Sequence, residues 1–219
     1  IENAKANEER LGTVKRGSAT CPCCGYTTPV ASVRQQLKAR KGGAADARLF
    51  CVVTTRTSEQ GRFYRLPTDN DLEAVIKAKE ELERREYAHQ GDLSLVPDEP
   101  TPQGGGSGAG RAFSQRNYGM NNFADLFTVR QLLALSTLAQ FVQKAGSFFV
   151  TDNNKEISSA IQTCLALALS RLADRTCSLC TWRPQADQEK VEHVFSRQAL
   201  PMTWDFAEGT FLSERTAGW

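Results

Sequence analysis

Three thiols within four positions, Cys21, Cys23 and Cys24, are the side chains of this sequence with the most obvious chemistry. Cys21 and Cys24 are separated by two residues, and Gly25 lets the chain turn back, so both thiolates can grip one tetrahedral ion. That is half of a zinc site. A second pair at the same spacing, Cys177 and Cys180, follows far along the chain. Three readings stand side by side: Cys177 and Cys180 complete a four-cysteine zinc site, Cys21 and Cys24 form a half-site without partners in this chain, or the cysteines are small apolar packing residues. Cys23 is either a substitute ligand or an exposed thiol.

Other candidates are weaker. His89 ends a charged helix and His193 lies in a polar stretch, so both read as solvated. A nucleophile-base pairing of Cys180 with His193 has nothing in the sequence to orient it. Asp205 and Glu208 can hold a base or a metal, but Trp204 and Phe206 alternate around Asp205 as in a core strand. Gly108-Ala109-Gly110 has no strand before it and no dinucleotide fingerprint around it, which argues against a phosphate loop.

Charge adds a second kind of candidate. The 219 residues carry a net charge of only +2. Between Thr28 and Arg65, however, eight basic residues face two acids, and from Leu66 to Thr101 ten acids face four bases. Arg34, Lys38, Arg40 and Lys41 therefore read either as a phosphate-contacting face or as a solvated helix offset by its acidic neighbour.

These side chains need elements to position them. Val30 to Arg40 reads as a short helix that Gly42 and Gly43 end, since glycine takes the left-handed conformation readily. Leu49 to Thr55 and Gly61 to Leu66 read as antiparallel strands across the turn Ser58-Glu59-Gln60-Gly61. Pro67-Thr68-Asp69-Asn70 caps an amphipathic helix from Asp71 to about His89, with Leu72, Val75, Ile76 and Leu82 on one stripe. Val96 to Gly110 is rich in proline and glycine and reads as a linker or mobile loop. Thr128 and Gln131 have the spacing of a capping box. Leu132, Leu135, Leu138 and Phe141 follow it up to Gly146, and a second long helix spans about Lys155 to Asp174. Two such helices are expected to pack as an antiparallel pair, with Cys164 in their core.

The expected fold class is thus α+β, in three parts. Residues 1–95 form a small α/β unit around the cysteine knuckle, 96–117 a linker, and 118–219 a helical hairpin leading into a short C-terminal strand region. With 40% hydrophobic residues the chain can bury a real core, and no apolar run is long enough to span a bilayer. Seven cysteines, three of them crowded together, fit reduced thiols and a cytoplasmic setting better than a disulfide framework. The start at Ile1, without a signal-peptide core or an initiating methionine, leads to the expectation of a piece of a longer protein.

A family resemblance covers nearly the whole chain. The stretch Thr13 to Gly25, the acidic Pro97-Asp98-Glu99-Pro100, Tyr118-Gly119-Met120, the run Asp125 to Leu135 and the run Arg197 to Glu208 occur in that order. Together they resemble the central region of adenine-specific DNA methyltransferases that contain a zinc ribbon. The resemblance implies that Cys21 and Cys24 belong to a zinc-ribbon-like unit whose other cysteine pair normally lies upstream, and that the position of Cys177 is usually not cysteine. It also implies that the glycine-rich loop for S-adenosylmethionine and the Asp-Pro-Pro-Tyr catalytic tetrapeptide lie outside this chain.

The implied function is an inserted middle module of an S-adenosylmethionine-dependent DNA adenine methyltransferase, making DNA contacts through the stretch with Arg34, Lys38, Arg40 and Lys41. Such a module fits the reaction. A base must leave the stack to be methylated, so groups outside the catalytic core have to hold the duplex and choose the site. On this reading S-adenosylmethionine is a cofactor only of the full-length parent. The alternative is a non-catalytic zinc-ribbon and helical scaffold that binds a protein partner in a phage-defence complex.

Overall fold

Arg16 and Gly17 both take positive φ, 51° and 83°, the two-residue turn whose twist matches that of the strands it joins. That turn starts the fold. β1 (Val14–Lys15) and β2 (Ser18–Thr20) pair antiparallel across it, and β3 (Thr27–Thr28) returns alongside β2 to close a three-stranded sheet around the cysteine knuckle. The structure, a computed structural model, describes residues 12–45, 47–104, 112–148, 155–185, 189–195 and 198–211.

α1 (Val30–Lys38) follows Pro29, which is compatible with a helix entry because its missing N–H would have no partner there. It ends at Lys38, two residues before the expected Arg40, with Ala39 as its C-terminal cap, and the chain then turns through Lys41 and Gly42 at positive φ. The hairpin of β4 (Val52–Thr54) and β5 (Phe63–Arg65) is antiparallel, with Val53 opposite Tyr64. α2 (Asp69–Ala88) opens on a reciprocal cap in which Asp71 Oδ2 accepts from the Thr68 N–H and hydroxyl, each at 2.7 Å. Asp71 also receives both guanidinium nitrogens of Arg65, at 2.6 and 2.9 Å. Arg65, and then Thr68, hold the Asp71 carboxyl well below the usual carboxylate range.

The segment expected as a linker packs at both ends of its span. Thr101 is buried, its hydroxyl donating to the Met120 carbonyl at 2.9 Å, while the Pro97 and Glu99 carbonyls accept from Ala124 and Phe123. Gln115, in the short turn Ser114–Tyr118, is also wholly buried, so both flanks of that segment pack against the rest of the chain. Gly105 to Gly110, including the weighed phosphate-loop tripeptide, lies outside the described residues.

α3 (Val129–Phe148) and α4 (Lys155–Ala173) form the expected antiparallel pair. Ser158 bonds the Gly146 carbonyl and Gln162 the Val142 carbonyl, so residues further along α4 meet residues further back on α3. The Thr128–Gln131 box is present: the Thr128 N–H donates to Gln131 Oε1 at 2.9 Å and the Gln131 N–H to Thr128 Oγ1 at 3.3 Å. Thr128→Ala should therefore lower the unfolding free energy by about 1–2 kcal/mol. Adding Gln131→Ala should cost less than the two single losses combined, because both bonds close one motif. Urea unfolding of the single and double variants measures this.

Cys164 departs from expectation. It is exposed, because the face of α4 that carries it is not the face α3 covers. The core lies elsewhere, in irregular segments, where Met120, Leu126, Cys177, Leu179, Cys180, Val191, Val194 and Leu200 form one buried cluster. The C-terminal strand region consists of β6 (Trp182–Arg183) paired antiparallel with β7 (Lys190–Val191), and Phe206 adds a single bridge to Thr181 rather than a strand.

Candidate metal knuckle and nucleic-acid interface

The knuckle is shaped by its backbone. The Cys21 N–H donates to the Tyr26 carbonyl and the Gly25 N–H to the Cys21 carbonyl, both at 2.9 Å, with Gly25 at φ 71° completing the reversal. The backbone N–H groups of Cys24 and Cys23 point at the Cys21 sulfur and lower its pKa, which favours the thiolate a metal requires. Cys23 and Cys24 are exposed at the tip.

Cys177 and Cys180 sit in a different environment. Their sulfurs are 3.5 Å apart and both residues are wholly buried in the core cluster. The neighbouring Cys180 thiol, together with burial, pushes the Cys177 thiol far up, so Cys177 stays protonated and its hydrogen bond lowers Cys180. Among the described residues no group of three or more His, Cys, Asp and Glu side chains gathers as a metal site, so the two cysteine pairs do not converge on one ion. The knuckle suits two positions of a tetrahedral zinc. Its remaining ligands would have to come from outside the described residues.

Three arginines of the basic stretch have aromatic or acidic partners. Arg34 lies over the Tyr118 ring, 5.6 Å from its centroid, with its Nε buried. Arg56 stacks 3.9 Å above Phe63 and pairs with Glu59, and Arg65 is held by Asp71. Arg34 ties α1 to Tyr118 and Arg65 ties β5 to the start of α2, whereas the Arg56–Glu59 pair is more than half exposed and contributes little. Lys38, Arg40 and Lys41 are exposed at and just beyond the end of α1, beside the turn that Gly42 makes. The sequence offered one clue to this division that the charge count passed over: Asp71 stands three residues after Thr68, the spacing of a cap that a nearby arginine can join.

The remaining candidates have structural partners. Glu208 forms an ion pair with Arg130, and Trp204 stacks edge-on against Tyr118 with ring centroids 5.7 Å apart. His193 lies 3.7 Å from the Asp174 carboxylate, which also accepts the N–H groups of Val194 and Phe195, whereas the Cys180 sulfur contacts Cys177 and the Asp174 carbonyl. His89 bonds the Leu93 carbonyl at 2.8 Å. No nucleophile faces a base in these contacts.

No helix among the described residues is long and apolar enough to cross a membrane. No protein-family model, characterised protein or solved structure matches the chain.

Proposed function

We propose that this chain is an inserted middle module of an S-adenosylmethionine-dependent DNA adenine methyltransferase and that it contributes duplex contacts. The carrying observation is the ordered series of motifs from Thr13 to Glu208 that resembles the central region of those enzymes. The exposed Lys38, Arg40 and Lys41 supply the phosphate contacts, since three cations on one helix end can follow a backbone without reading bases. Arg34 is set aside for packing on Tyr118. Zinc at the knuckle would fix the orientation of the β1–β3 sheet beside α1, with Cys21 and Cys24 as two of its ligands. The cofactor and the flipped base belong to other parts of the parent.

Replacing Lys38, Arg40 and Lys41 together by alanine should weaken duplex binding almost equally for unrelated sequences. It should also reduce the slope of log K against log salt by about 2–3, close to one unit per lost contact. Fluorescence anisotropy over a salt series measures both. An unchanged slope would remove these residues from the interface.

A second reading, a scaffold for a protein partner in a phage-defence complex, is favoured by the exposed apolar side chains Ile157, Leu167 and Phe141 on the helical hairpin. Loss of a partner on Leu167→Glu, with duplex binding intact, separates the two readings.

A further inference from the structure

Between α4 and β6 the chain makes a four-residue turn, Cys177-Ser178-Leu179-Cys180, in which the Cys180 N–H donates to the Cys177 carbonyl at 3.2 Å. Such a turn holds its two end Cα atoms within about 7 Å of each other, which is the span a disulfide bridges. The side chains converge as well. Their sulfurs lie 3.5 Å apart, so a bond of about 2 Å needs an approach of only about 1.5 Å, which small χ1 rotations of both residues supply.

The surroundings leave these sulfurs little else to do. Both residues are wholly buried beside Met120, Leu126, Leu179 and Leu200, and apart from Cys177 the Cys180 sulfur contacts only the Asp174 carbonyl, at 3.6 Å. No third metal ligand joins them among the described residues. The Cys177 thiol, by bonding to the Cys180 sulfur, brings Cys180 nearer to the thiolate. One side of the turn is covered by residues 201–210, a run without helix or strand. It is tied down by Thr203 Oγ1 donating to the Leu179 carbonyl at 3.0 Å, by the Ala207 N–H donating to the Cys180 carbonyl at 2.8 Å, by the Phe206 bridge to Thr181 and by the Glu208–Arg130 pair. Lifting that run breaks few bonds, so a molecule little larger than water reaches the sulfurs without unfolding the chain.

We propose that Cys177 and Cys180 form a reversible dithiol–disulfide couple whose oxidant is hydrogen peroxide. The Cys180 sulfur attacks one peroxide oxygen, the O–O bond breaks, and the departing hydroxide takes up the thiol proton as water, leaving a sulfenic acid on Cys180. The Cys177 sulfur then attacks the Cys180 sulfur, the S–O bond breaks, and the hydroxyl leaves with the Cys177 proton as a second water. Two thiols thus lose two electrons and one peroxide becomes two waters. Because the second sulfur stands 3.5 Å away, the disulfide forms before a further peroxide can act. A dithiol reductant reverses the step by exchange. This couple stands on the geometry of the core and is independent of the duplex-contact reading.

Peroxide treatment of the reduced full chain, followed by denaturation, alkylation with iodoacetamide and mass spectrometry of its peptides, tests the assignment. The peptide holding Cys177 and Cys180 should lose two hydrogens and carry no alkyl group, and dithiothreitol added before alkylation should restore both alkyl groups. Cys164, exposed on α4, should instead pass to sulfinic acid, which dithiothreitol does not reverse. Cys177→Ala removes the resolving sulfur, so the sulfenic acid of Cys180 should persist and be captured by dimedone on denaturation, which the parent chain escapes. An unaltered circular dichroism spectrum checks that this variant folds, and the measurement on the parent chain needs no variant. Recovery of Cys177 and Cys180 as two alkylated thiols after Cys164 has been fully oxidised overturns the proposal, and so does oxidation of either one without a bond to the other.

Discussion

Gly119→Ala should destabilise the protein by about 2–4 kcal/mol, far more than the loss of any surface contact. Gly119 ends the short turn Ser114–Tyr118 at φ 94°, a region that costs an L-residue about 1–2 kcal/mol. Space is the second problem. A Cβ there would lie 2.8 Å from both the Cα and the carbonyl oxygen of Lys38, and backbone at the end of a helix cannot rotate aside as a side chain can. The alanine must therefore push α1 away from the turn. Arg34 would then leave the Tyr118 ring, and Lys38, Arg40 and Lys41 would lose their orientation together. Gly25→Ala is the control, because Gly25 also has positive φ, 71°, but nothing within 4 Å of its would-be Cβ. It should lose only the conformational part, about 1 kcal/mol. Equal losses for the two variants in urea unfolding would mean that the close approach of Gly119 to Lys38 contributes nothing.

Gly119 also illustrates where sequence reasoning stops. The tripeptide Tyr118-Gly119-Met120 is conspicuous in the sequence, but its reason, a helix end pressed against the glycine, involves a residue far back in the chain. Long helices were legible because caps and 3.6-residue periodicity are local: Thr68 and Thr128 each begin a helix that the apolar pattern extends. The strands of the knuckle sheet were not, since two or three residues cannot show an alternation. Only Arg16-Gly17 signals them, through its turn. The core was the least legible element, because Thr101, Gln115, Cys177 and Leu200 come from segments without any period. Cys164 was misassigned for the complementary reason. An apolar helix pattern says that faces exist, and only the neighbours decide which face is covered.

The same distinction governs the site residues. Spacing identified Cys21-x-x-Cys24 and Cys177-x-x-Cys180 equally well, yet one pair stands at an open knuckle with N–H groups aimed at sulfur and the other is sealed in the core. Charge counting found the basic stretch but could not tell that Arg34, Arg56 and Arg65 are held by Tyr118, Phe63 and Asp71.

Leu126→Ala should produce the other large effect, and it can be read at the cysteines. Leu126 has no exposed surface and packs with Cys177, Cys180 and Met120, while its carbonyl accepts the Ser178 N–H at 2.7 Å. Truncation leaves a cavity in a cluster that irregular backbone cannot collapse to fill, and the loss should be about 2–5 kcal/mol. In the intact protein Cys177 is shielded twice over, by burial and by its raised pKa, and Cys180 by burial alone, since alkylation needs an accessible thiolate. Their modification therefore waits for an opening of the core. If that opening is global, a loss of about 2 kcal/mol should speed their alkylation about thirtyfold. Cys23, Cys24 and Cys164 are already exposed and should react at unchanged rates. Iodoacetamide labelling followed residue by residue in a mass spectrometer separates the two groups. Alkylation of Cys177 and Cys180 no faster in Leu126→Ala than in the parent chain would mean that the cluster around Leu126 is not the core whose opening exposes them.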